Sequence, residues 1–325
     1  MTRFQSISVE QAAQLLRSGG VVAVPSETVY GLAANALDAV AVARIFQIKG
    51  RPSTNPLIVH CRDADHARSL ATDWPEQAEQ LARAFWPGPL TIVLPKVSVI
   101  PDITTASRPT VALRVPRHPM LQSLLSLLDF PLAAPSANRS NRISPTSARH
   151  VYDEFGSTVA ILDGGACELG IESTVIDLSG RPRLLRPGSV SLDQLRAVIG
   201  PVEVFEGHVE SNAAAMSPGQ QATHYSPRCK AIRFTRDAVL TVPPRTCAIV
   251  IGSLPSSLAN VGLLHYGILS SDPARAAEKL YSVMRYLDGL SPDLMLIELP
   301  PELEEWRGVR DRVTRATRAT NTSTH

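Results

Sequence analysis

The stretch Val21-Val22-Ala23-Val24-Pro25-Ser26-Glu27-Thr28-Val29-Tyr30-Gly31-Leu32 decides the fold class of this chain. Its first four residues are apolar, which predicts a buried strand. A helix over about residues 9–17 precedes the strand, with Ser8 as N-cap and a glycine pair as its stop. Strands and helices alternate in the same way along the chain, which is typical of an α/β protein. The polar turn after the strand lies where α/β sheets commonly bind ligands.

Two further polar turns suggest a site for anions. Lys49-Gly50-Arg51-Pro52 ends a helix that we predict to start after the N-cap Asp38. Ala134-Pro135-Ser136-Ala137-Asn138 follows a short apolar strand. Each turn alone has an ordinary structural explanation, because helix ends favour cations and turns favour serine and asparagine. Two cations and a Ser-x-Asn turn in one fold make a ligand site the more informative hypothesis.

Periodicity places two more candidate residues. Thr110-Val111-Ala112-Leu113-Arg114-Val115 alternates with a period of two, so we expect Thr110 and Arg114 to share the face away from the core. Ser144-Pro145-Thr146 predicts the start of a helix with Ser144 as its N-cap. The free N–H groups of that helix end could hold an anion.

Composition excludes several classes of function. Among 325 residues, Lys and Arg number 32 against 30 Asp and Glu, so the net charge of +2 does not imply a nucleic-acid ligand. The four cysteines form no CxxC pair, which argues against zinc sites and disulfides and favours a reducing cytoplasm. No apolar run is long enough for a membrane span, and the common nucleotide and hydrolase motifs are absent from the sequence. We therefore expect a cytoplasmic protein with no membrane partner.

The composition changes near Gly207. Residues 207–228 are rich in small and polar side chains, which is typical of an extended linker. An independent α/β pattern follows, so we predict a first domain over 1–206, a linker over 207–228 and a small parallel-sheet domain over 229–325. An arginine-rich stretch near residues 307–318 is expected to be an exposed amphipathic helix.

Seven motifs, in order and spacing, resemble the threonylcarbamoyl-AMP synthases. They are Pro25 to Leu32, Lys49-Gly50-Arg51-Pro52 with Asn55-Pro56-Leu57, Trp86-Pro87-Gly88-Pro89-Leu90-Thr91, Ala112-Leu113-Arg114, Ala134 to Asn138, Glu172-Ser173-Thr174 and Leu185-Arg186-Pro187-Gly188. The stretch His224-Tyr225-Ser226-Pro227 resembles the linker of the two-domain form of this family. The resemblance implies a YrdC-like twisted open mixed sheet flanked by helices, then a linker and a small Rossmann-like α/β domain.

The resemblance also implies a reaction, in which L-threonine, bicarbonate and ATP, with Mg2+, give threonylcarbamoyl-AMP and pyrophosphate. The product would pass to a transferase complex that modifies position 37 of tRNA. Lys49 and Arg51 would be catalytic, and Tyr225 in the linker would act as part of a lid over the nucleotide. The resemblance places on ATP Lys49, Arg51, Asn55, Thr110, Asn138, Ser144, Arg186 and Tyr225. It places around threonine and bicarbonate Thr28, His60, Arg114, Ser136 and Ser173, while the choice between Ser26 and Thr28 as the closer threonine contact stays open. It implies no protein metal ligands.

Two other functions are compatible with such a fold. A non-catalytic protein of this type could bind double-stranded RNA on a concave basic surface, although the near-neutral net charge speaks against it and RNA binding is not required for the enzyme. A carbamoyl-transfer enzyme for metallocentre maturation would need additional segments that this sequence lacks. The synthase therefore explains the motifs best.

Overall fold

The computed structural model describes residues 5–205, 224–238, 240–259 and 261–319. Those residues build two sheets, one of ten strands and one of five. The strands of the first are Val22–Val24 (β1), Gly31–Asn35 (β2), Ile58–His60 (β3), Leu90–Pro95 (β4), Thr110–Arg114 (β5), Leu132–Ala133 (β6), Ala160–Ile161 (β7), Thr174–Asp177 (β8), Arg183–Arg186 (β9) and Glu203–Val204 (β10). Its helices are Val9–Arg17 (α1), Ala39–Lys49 (α2), Ala64–Ser69 (α3), Glu76–Phe85 (α4), Asp102–Thr105 (α5), Pro119–Leu127 (α6), Ala148–Phe155 (α7) and Leu192–Ile199 (α8), with a short 3-10 turn at Gly156–Thr158.

The second unit is smaller. Its strands are Lys230–Phe234 (β11), Thr246–Ile251 (β12), His265–Leu269 (β13), Leu294–Glu298 (β14) and Arg318–Ala319 (β15). Its helices are Ser256–Ala259 (α9), Pro273–Gly289 (α10) and Arg307–Ala316 (α11), with a 3-10 turn at Glu304–Trp306. All of its strand pairs are parallel, in the order β13-β12-β14-β11-β15, which confirms the predicted parallel sheet.

The first sheet is mixed, in the order β10-β9-β8-β4-β5-β3-β6-β2-β1-β7. The predicted fold class is confirmed. Val111 and Leu113 face the main core between sheet and helices, whereas Arg114 points away from it, as the alternation of β5 predicts. The predicted linker boundaries stay a prediction, because residues 206–223 lie outside the described part of the chain.

Local signals set the ends of the first two helices. Ser8 caps α1 in a capping box with Gln11. Asp38 accepts hydrogen bonds from the first turn of α2, and Gly50 ends that helix in the left-handed region with φ of 60°. This conformation suits glycine, and it turns the chain so that Lys49 and Arg51 point inward.

Two predictions about helices are wrong. The helix after Ser144 begins only at Ala148, and Ser147 is its N-cap. Ser144 is fully buried, and its hydroxyl donates to Glu172 Oε1 at 2.5 Å instead. The arginine-rich helix α11 is not simply exposed, since Arg312 is fully buried and Arg315 nearly so. In both cases the side chain is used in a contact distant in sequence.

Within the described ranges, no helix combines the length and hydropathy that crossing a lipid bilayer requires.

Candidate active site

A small buried cavity lies where several of the predicted residues meet. Its volume is about 50 Å3, which has room for one or two water molecules. Its polar lining residues are Ser26, Thr28, Arg51, His60, Arg114, Ser136, Glu172, Ser173, Arg186, His224 and Tyr225. All five residues predicted for threonine and bicarbonate line it, as do Arg51, Arg186 and Tyr225 from the predicted nucleotide set.

Strand pairing explains why these residues meet. β3 and β5 run parallel with His60 opposite Arg114. β8 and β9 run antiparallel, which brings Arg186 at the end of β9 to Ser173 just before β8. A further bridge between Gly31 and Ser136 joins the polar turn after β1 to the turn that carries Ser136. The cavity is therefore assembled from loops at strand ends, a usual place for a ligand site in an α/β fold.

Arg114 is the best-held cation of the cavity. Its Nη1 donates to Thr28 Oγ1 at 3.0 Å, and its Nε donates to the carbonyl oxygen of Gly88 at 3.1 Å. Its Nη2 lies 2.7 Å from Glu27 Oε1, and both side chains are buried. Burial alone would raise the pKa of Glu27, but the Arg114 guanidinium outweighs burial and lowers that pKa below its usual value. The guanidinium is thus fixed in a geometry that suits a bidentate carboxylate ligand.

Ser26 and Thr28 both line the cavity, yet they are bonded differently. Ser26 Oγ donates to the carbonyl oxygen of Val29 at 2.6 Å and accepts from the backbone N–H of Thr28 at 3.2 Å. Thr28 Oγ1 contacts Ser26 Oγ at 2.8 Å and accepts from Arg114. Ser26 therefore closes its own turn, and Thr28 links that turn to the guanidinium.

His60 is a neutral side chain at this site. Burial lowers the pKa of His60 to about 3, and the positive charge of Arg114 adds to the effect. Its Nδ1 has no hydrogen-bond partner among the described residues. A neutral imidazole beside a cation can donate or accept a hydrogen bond without adding charge.

The lowered pKa of His60 predicts acid sensitivity. A histidine kept neutral by the fold takes up a proton on unfolding, so its contribution to stability is present above pH 6.5 and is lost as the pH falls towards about 3. The free energy of unfolding falls when the pH is lowered from 7 to 5. We expect this fall to be smaller by roughly 2 kcal/mol in His60→Gln than in the unsubstituted protein. Urea unfolding at the two pH values measures this. His265→Gln, at an exposed position on β13, is the control, and an equal fall in all three proteins would contradict the prediction.

Lys49 joins the two anion-site turns. It is 2% exposed, and its Nζ donates to the backbone carbonyl oxygens of Ser136 and Asn138, at 2.5 Å each. Burial, together with the nearby charge of Arg51, lowers the pKa of Lys49 well below its usual value. Asn138 in turn donates to the carbonyl oxygens of Arg139 and Arg142 at 2.8 Å. Lys49 and Asn138 thus lie behind the cavity wall and fix the Ser136 turn.

Arg51 reaches the cavity itself. Its Nη2 donates to the carbonyl oxygen of Pro56 at 3.1 Å, and its Nε lies 3.4 Å from the carbonyl oxygen of Asn55. Burial lowers the pKa of Arg51 to about 10, which leaves the guanidinium charged at neutral pH. The side chain of Asn55 is buried beside it but does not line the cavity.

Arg186 and Ser173 form the opposite wall. Arg186 Nε donates to the carbonyl oxygen of Ser173 at 3.0 Å, and its Nη2 donates to Ser173 Oγ at 3.1 Å. Ser173 Oγ also contacts Thr91 Oγ1 at 2.8 Å. Three guanidinium groups, those of Arg51, Arg114 and Arg186, therefore line one cavity, and such a site suits ligands with several negative charges.

Thr110 is not brought to the cavity. It shares the face of β5 with Arg114 but lies at the other end of the strand, four residues away or about 13 Å along it. Its side chain does not line the cavity. The period of the strand predicted the face but could not place both residues at one end.

The end of the linker covers the cavity. Tyr225 is 1% exposed and adopts φ of +64°, and its ring lies 4.1 Å from that of His224. The backbone N–H of His224 donates to the carbonyl oxygen of Arg315 on α11 at 3.1 Å. The hydroxyl of Tyr225 has no hydrogen-bond partner in the described ranges. Residues of the second unit therefore help to hold this cover in place.

Sequence reasoning missed several residues that the structure brings here. Glu27 and Glu172 belong to two of the family motifs, but the sequence did not show that both carboxylates are buried next to arginines. His224 is the neighbour of a predicted residue. Tyr281 carries no local signal, and Arg312 stands in an Arg310-Asp311-Arg312 stretch that resembles the family without indicating its contact with Glu172 in the other unit.

Protein ligands for a metal are not evident in the described parts of the chain. No group of three His, Cys, Asp or Glu side chains converges there. Glu27 and Glu172 are engaged by Arg114 and Arg312. These two carboxylates therefore do not fit a protein-held Mg2+ site.

Two family models match the chain in succession. One, described as "Telomere recombination", covers residues 14–188. The other, described as "Threonylcarbamoyl-AMP synthase, C-terminal domain", covers residues 190–317. Together they cover every described strand except β15.

Curated proteins and a solved structure agree with these matches. Threonylcarbamoyl-AMP synthase of Pyrococcus abyssi is 40% identical over 97% of this chain and 95% of its own length. The protein of that name from Bacillus subtilis is 38% identical over 95% of this chain and 92% of its own. The crystal structure of P. abyssi Sua5 complexed with L-threonine superimposes with a TM-score of 0.86 at 37% identity, over 97% of this chain and 96% of that one. This chain therefore belongs to the threonylcarbamoyl-AMP synthase family.

Proposed function

We propose that this protein is an L-threonylcarbamoyladenylate synthase, a nucleotidyltransferase that forms threonylcarbamoyl-AMP and pyrophosphate from L-threonine, bicarbonate and ATP. The observation that carries the proposal is the set of three buried guanidinium groups around one cavity with a neutral histidine. Each of the three substrates presents a carboxylate, a carbonate or phosphates to that cavity. Supporting this, a relative in the same family has been crystallised with L-threonine.

Arg114, Thr28 and His60 would receive threonine and its carbamate. The Arg114 guanidinium offers two N–H groups to a carboxylate, and the neutral His60 orients a second group without repelling Arg114. The remaining hydroxyls on this side come from Ser136 and Ser173. The threonine amine attacks bicarbonate and water leaves, which gives the carbamate.

Arg51 and Arg186 would receive the nucleotide, with Tyr225 beside it. The further members of the proposed ATP set do not line the cavity in its present form; they are Lys49, Asn55, Thr110, Asn138 and Ser144. A carbamate oxygen then attacks the α-phosphorus of ATP, and the bond to the leaving pyrophosphate breaks. Both reactants are anions, so the protein accelerates the step by bringing them together and by neutralising charge. Lys49 acts in this scheme by fixing the turn that carries Ser136 into the cavity.

Mg2+ would arrive with ATP and be held by its phosphates. We assign no side chain to the ion, because the carboxylates at the cavity are paired with arginines.

The His224–Tyr225 cover would act as a lid. A cavity of about 50 Å3 is several times smaller than the 300 Å3 or more of ordinary ligand pockets. Tyr225 and His224 would move when ATP enters, and their return would exclude water from an anhydride that hydrolyses readily.

The product would be consumed in the cytoplasm by a transferase complex that modifies position 37 of tRNA. RNA binding by this chain is not needed for its own reaction, and a non-catalytic RNA-binding role is the alternative that an assay excludes.

Pyrophosphate release tests the proposed reaction. With ATP, Mg2+ and bicarbonate present, we expect release to rise at least about tenfold on addition of L-threonine and to stay near background with the other nineteen amino acids. Omitting bicarbonate is the matched control. Release that does not depend on threonine, or binding of RNA without any release, would sink the proposal.

A further inference from the structure

The carboxylate of Glu172 is held jointly by the two units of the chain. Ser144 of the first unit donates to its Oε1 at 2.5 Å. Tyr281 on α10 and Arg312 on α11 donate to its Oε2 at 3.0 Å and 2.8 Å. Glu172 also lines the cavity. The second unit therefore supplies the counter-charge for a carboxylate that faces the proposed substrates.

Arg312 makes contacts on every side of this junction. It is fully buried, and its Nη2 donates to the backbone carbonyl oxygen of Glu172 at 3.1 Å. Its Nη1 donates to the carbonyl oxygen of Pro187 at 2.7 Å and to Asp311 Oδ2 at 3.0 Å. Its guanidinium carbon lies 5.4 Å from the centre of the Tyr225 ring, within range of a cation–π contact. One side chain thus touches both the cavity wall and its cover.

Two glycines allow this close approach. A Cβ at Gly308 on α11 would lie 3.1 Å from the carbonyl oxygen of Gly188. A Cβ at Gly170 would lie 2.4 Å from the carbonyl oxygen of Ala277 on α10. Both helices therefore pack on the backbone that flanks Glu172, and the position of Arg312 is set by backbone contact between the units.

The charge of Glu172 is unfavourable for the proposed ligands. An unpaired buried carboxylate in the cavity wall would repel a nucleotide phosphate or a carbamate, and burial weakens the screening of that repulsion. Arg186 contributes positive charge nearby, and its side chain is bonded to Ser173. Arg312 contacts the Glu172 carboxylate directly with opposite charge, with its Nε 2.8 Å from Oε2.

We propose that Arg312 is a positioning residue of the second unit, which neutralises Glu172 and so keeps the cavity able to accept an anionic nucleotide. This inference rests on the proposed function for its meaning in the reaction, but nucleotide binding tests it separately. It gives the second unit a role in the chemistry of the first. A purely structural contact would hold the units together without any dependence on the charge of residue 172.

The proposal has a consequence for pH. Burial alone would raise the pKa of Glu172, but Arg312 and then Arg186 outweigh it and lower that pKa to about 2, so the group is charged throughout the neutral range. Without Arg312 its pKa rises, and protonation at lower pH removes the repulsion. The titratable and charged groups that face Glu172 are Lys49, Arg186, His224, Tyr225, Tyr281 and Arg312, and Asp311 faces Tyr225 and Arg312.

The test compares Arg312→Met with the double variant Arg312→Met/Glu172→Gln. Titration calorimetry with a non-hydrolysable ATP analogue, and separately with L-threonine, gives the dissociation constants at pH 6, 7 and 8. At pH 8 we expect Arg312→Met to weaken analogue binding roughly 30-fold and threonine binding less than about threefold. Relative to the unsubstituted protein, its analogue affinity should recover as the pH falls to 6. The double variant should bind the analogue within about fivefold of the unsubstituted protein at every pH.

Arg307→Met is the matched control, since Arg307 lies on the same helix and pairs with Glu304 away from the cavity. If the double variant binds as weakly as Arg312→Met, Arg312 is a structural residue and the proposal is wrong. If Arg312→Met does not fold, the double variant still decides the question. A loss of analogue affinity of 30-fold or more in the double variant would again show that Arg312 is a structural residue. Analogue binding that behaves as expected without threonine-dependent pyrophosphate release would overturn the proposed function and leave the electrostatic role of Arg312 standing.

Discussion

Threonine-dependent pyrophosphate release should fall at least about 1,000-fold in Arg114→Met, the largest loss that we expect from a single substitution. The guanidinium of Arg114 donates to Thr28 and Gly88 and pairs with Glu27, so it is held in one position inside the cavity. Methionine keeps much of the volume but removes all of these contacts and the proposed grip on the carboxylate. Steady-state assays of pyrophosphate release measure the effect.

Stability must be separated from activity in this variant. Removing Arg114 leaves Glu27 buried without its counter-ion, which costs roughly 3–5 kcal/mol of unfolding free energy. Arg114→Met/Glu27→Gln removes both charges, and we expect it to regain most of that stability in urea unfolding while staying inactive. Arg117→Met changes an exposed ion pair with Glu168 and should keep full activity. An active double variant would show that Arg114 does not bind substrate.

Lys49→Met is expected to reduce pyrophosphate release by about 100-fold or more and to lower stability by roughly 2–4 kcal/mol. The Nζ of Lys49 donates to the carbonyl oxygens of Ser136 and Asn138. Methionine leaves both oxygens buried without that donor, and the turn that carries Ser136 into the cavity loosens. Activity assays and thermal unfolding of the same preparation measure the two effects.

The comparison that matters for Lys49 is with Arg51. Arg51→Met should lose similar activity through weaker nucleotide binding with a smaller loss of stability, because its acceptors Asn55 and Pro56 lie in its own turn. Lys279→Met, an exposed lysine on α10, controls for loss of one positive charge. Unchanged stability in Lys49→Met would show that the link to the Ser136 turn does not matter.

The sequence predicted those parts of the fold that depend on near neighbours. Helix α1 has its predicted bounds because Ser8 and Gln11 form a capping box three residues apart. Helix α2 ends as predicted because Gly50 supplies a left-handed residue. Period-two alternation in β5 correctly turned Arg114 away from the core.

The parts that were wrong or missed depend on contacts distant in the chain. Ser144 is not an N-cap, because its hydroxyl donates to a glutamate 28 residues later. Arg312 is buried although its helix carries many charges, because its partner lies 140 residues earlier. Thr110 does not line the cavity, since it lies at the far end of β5 from Arg114, and its proposed contact with ATP stays a prediction. Motif matching found most of the cavity because it carries such long-range information implicitly.

Gly170 and Gly308 limit how the two units of this protein can be exchanged with those of related chains. A methyl group at Gly170 would lie 2.4 Å from the carbonyl oxygen of Ala277 in the second unit, and this backbone atom cannot move aside as a flexible side chain can. A methyl group at Gly308 would lie 3.0 Å from the Ile171 side chain and 3.1 Å from the Gly188 carbonyl oxygen, so it would require a small shift of the first unit. A chimera that joins the first unit of one relative to the second unit of another therefore needs glycine at position 170 and a small residue at position 308. Each unit has a sheet of its own, but the residues that form the contact between the units have to match each other.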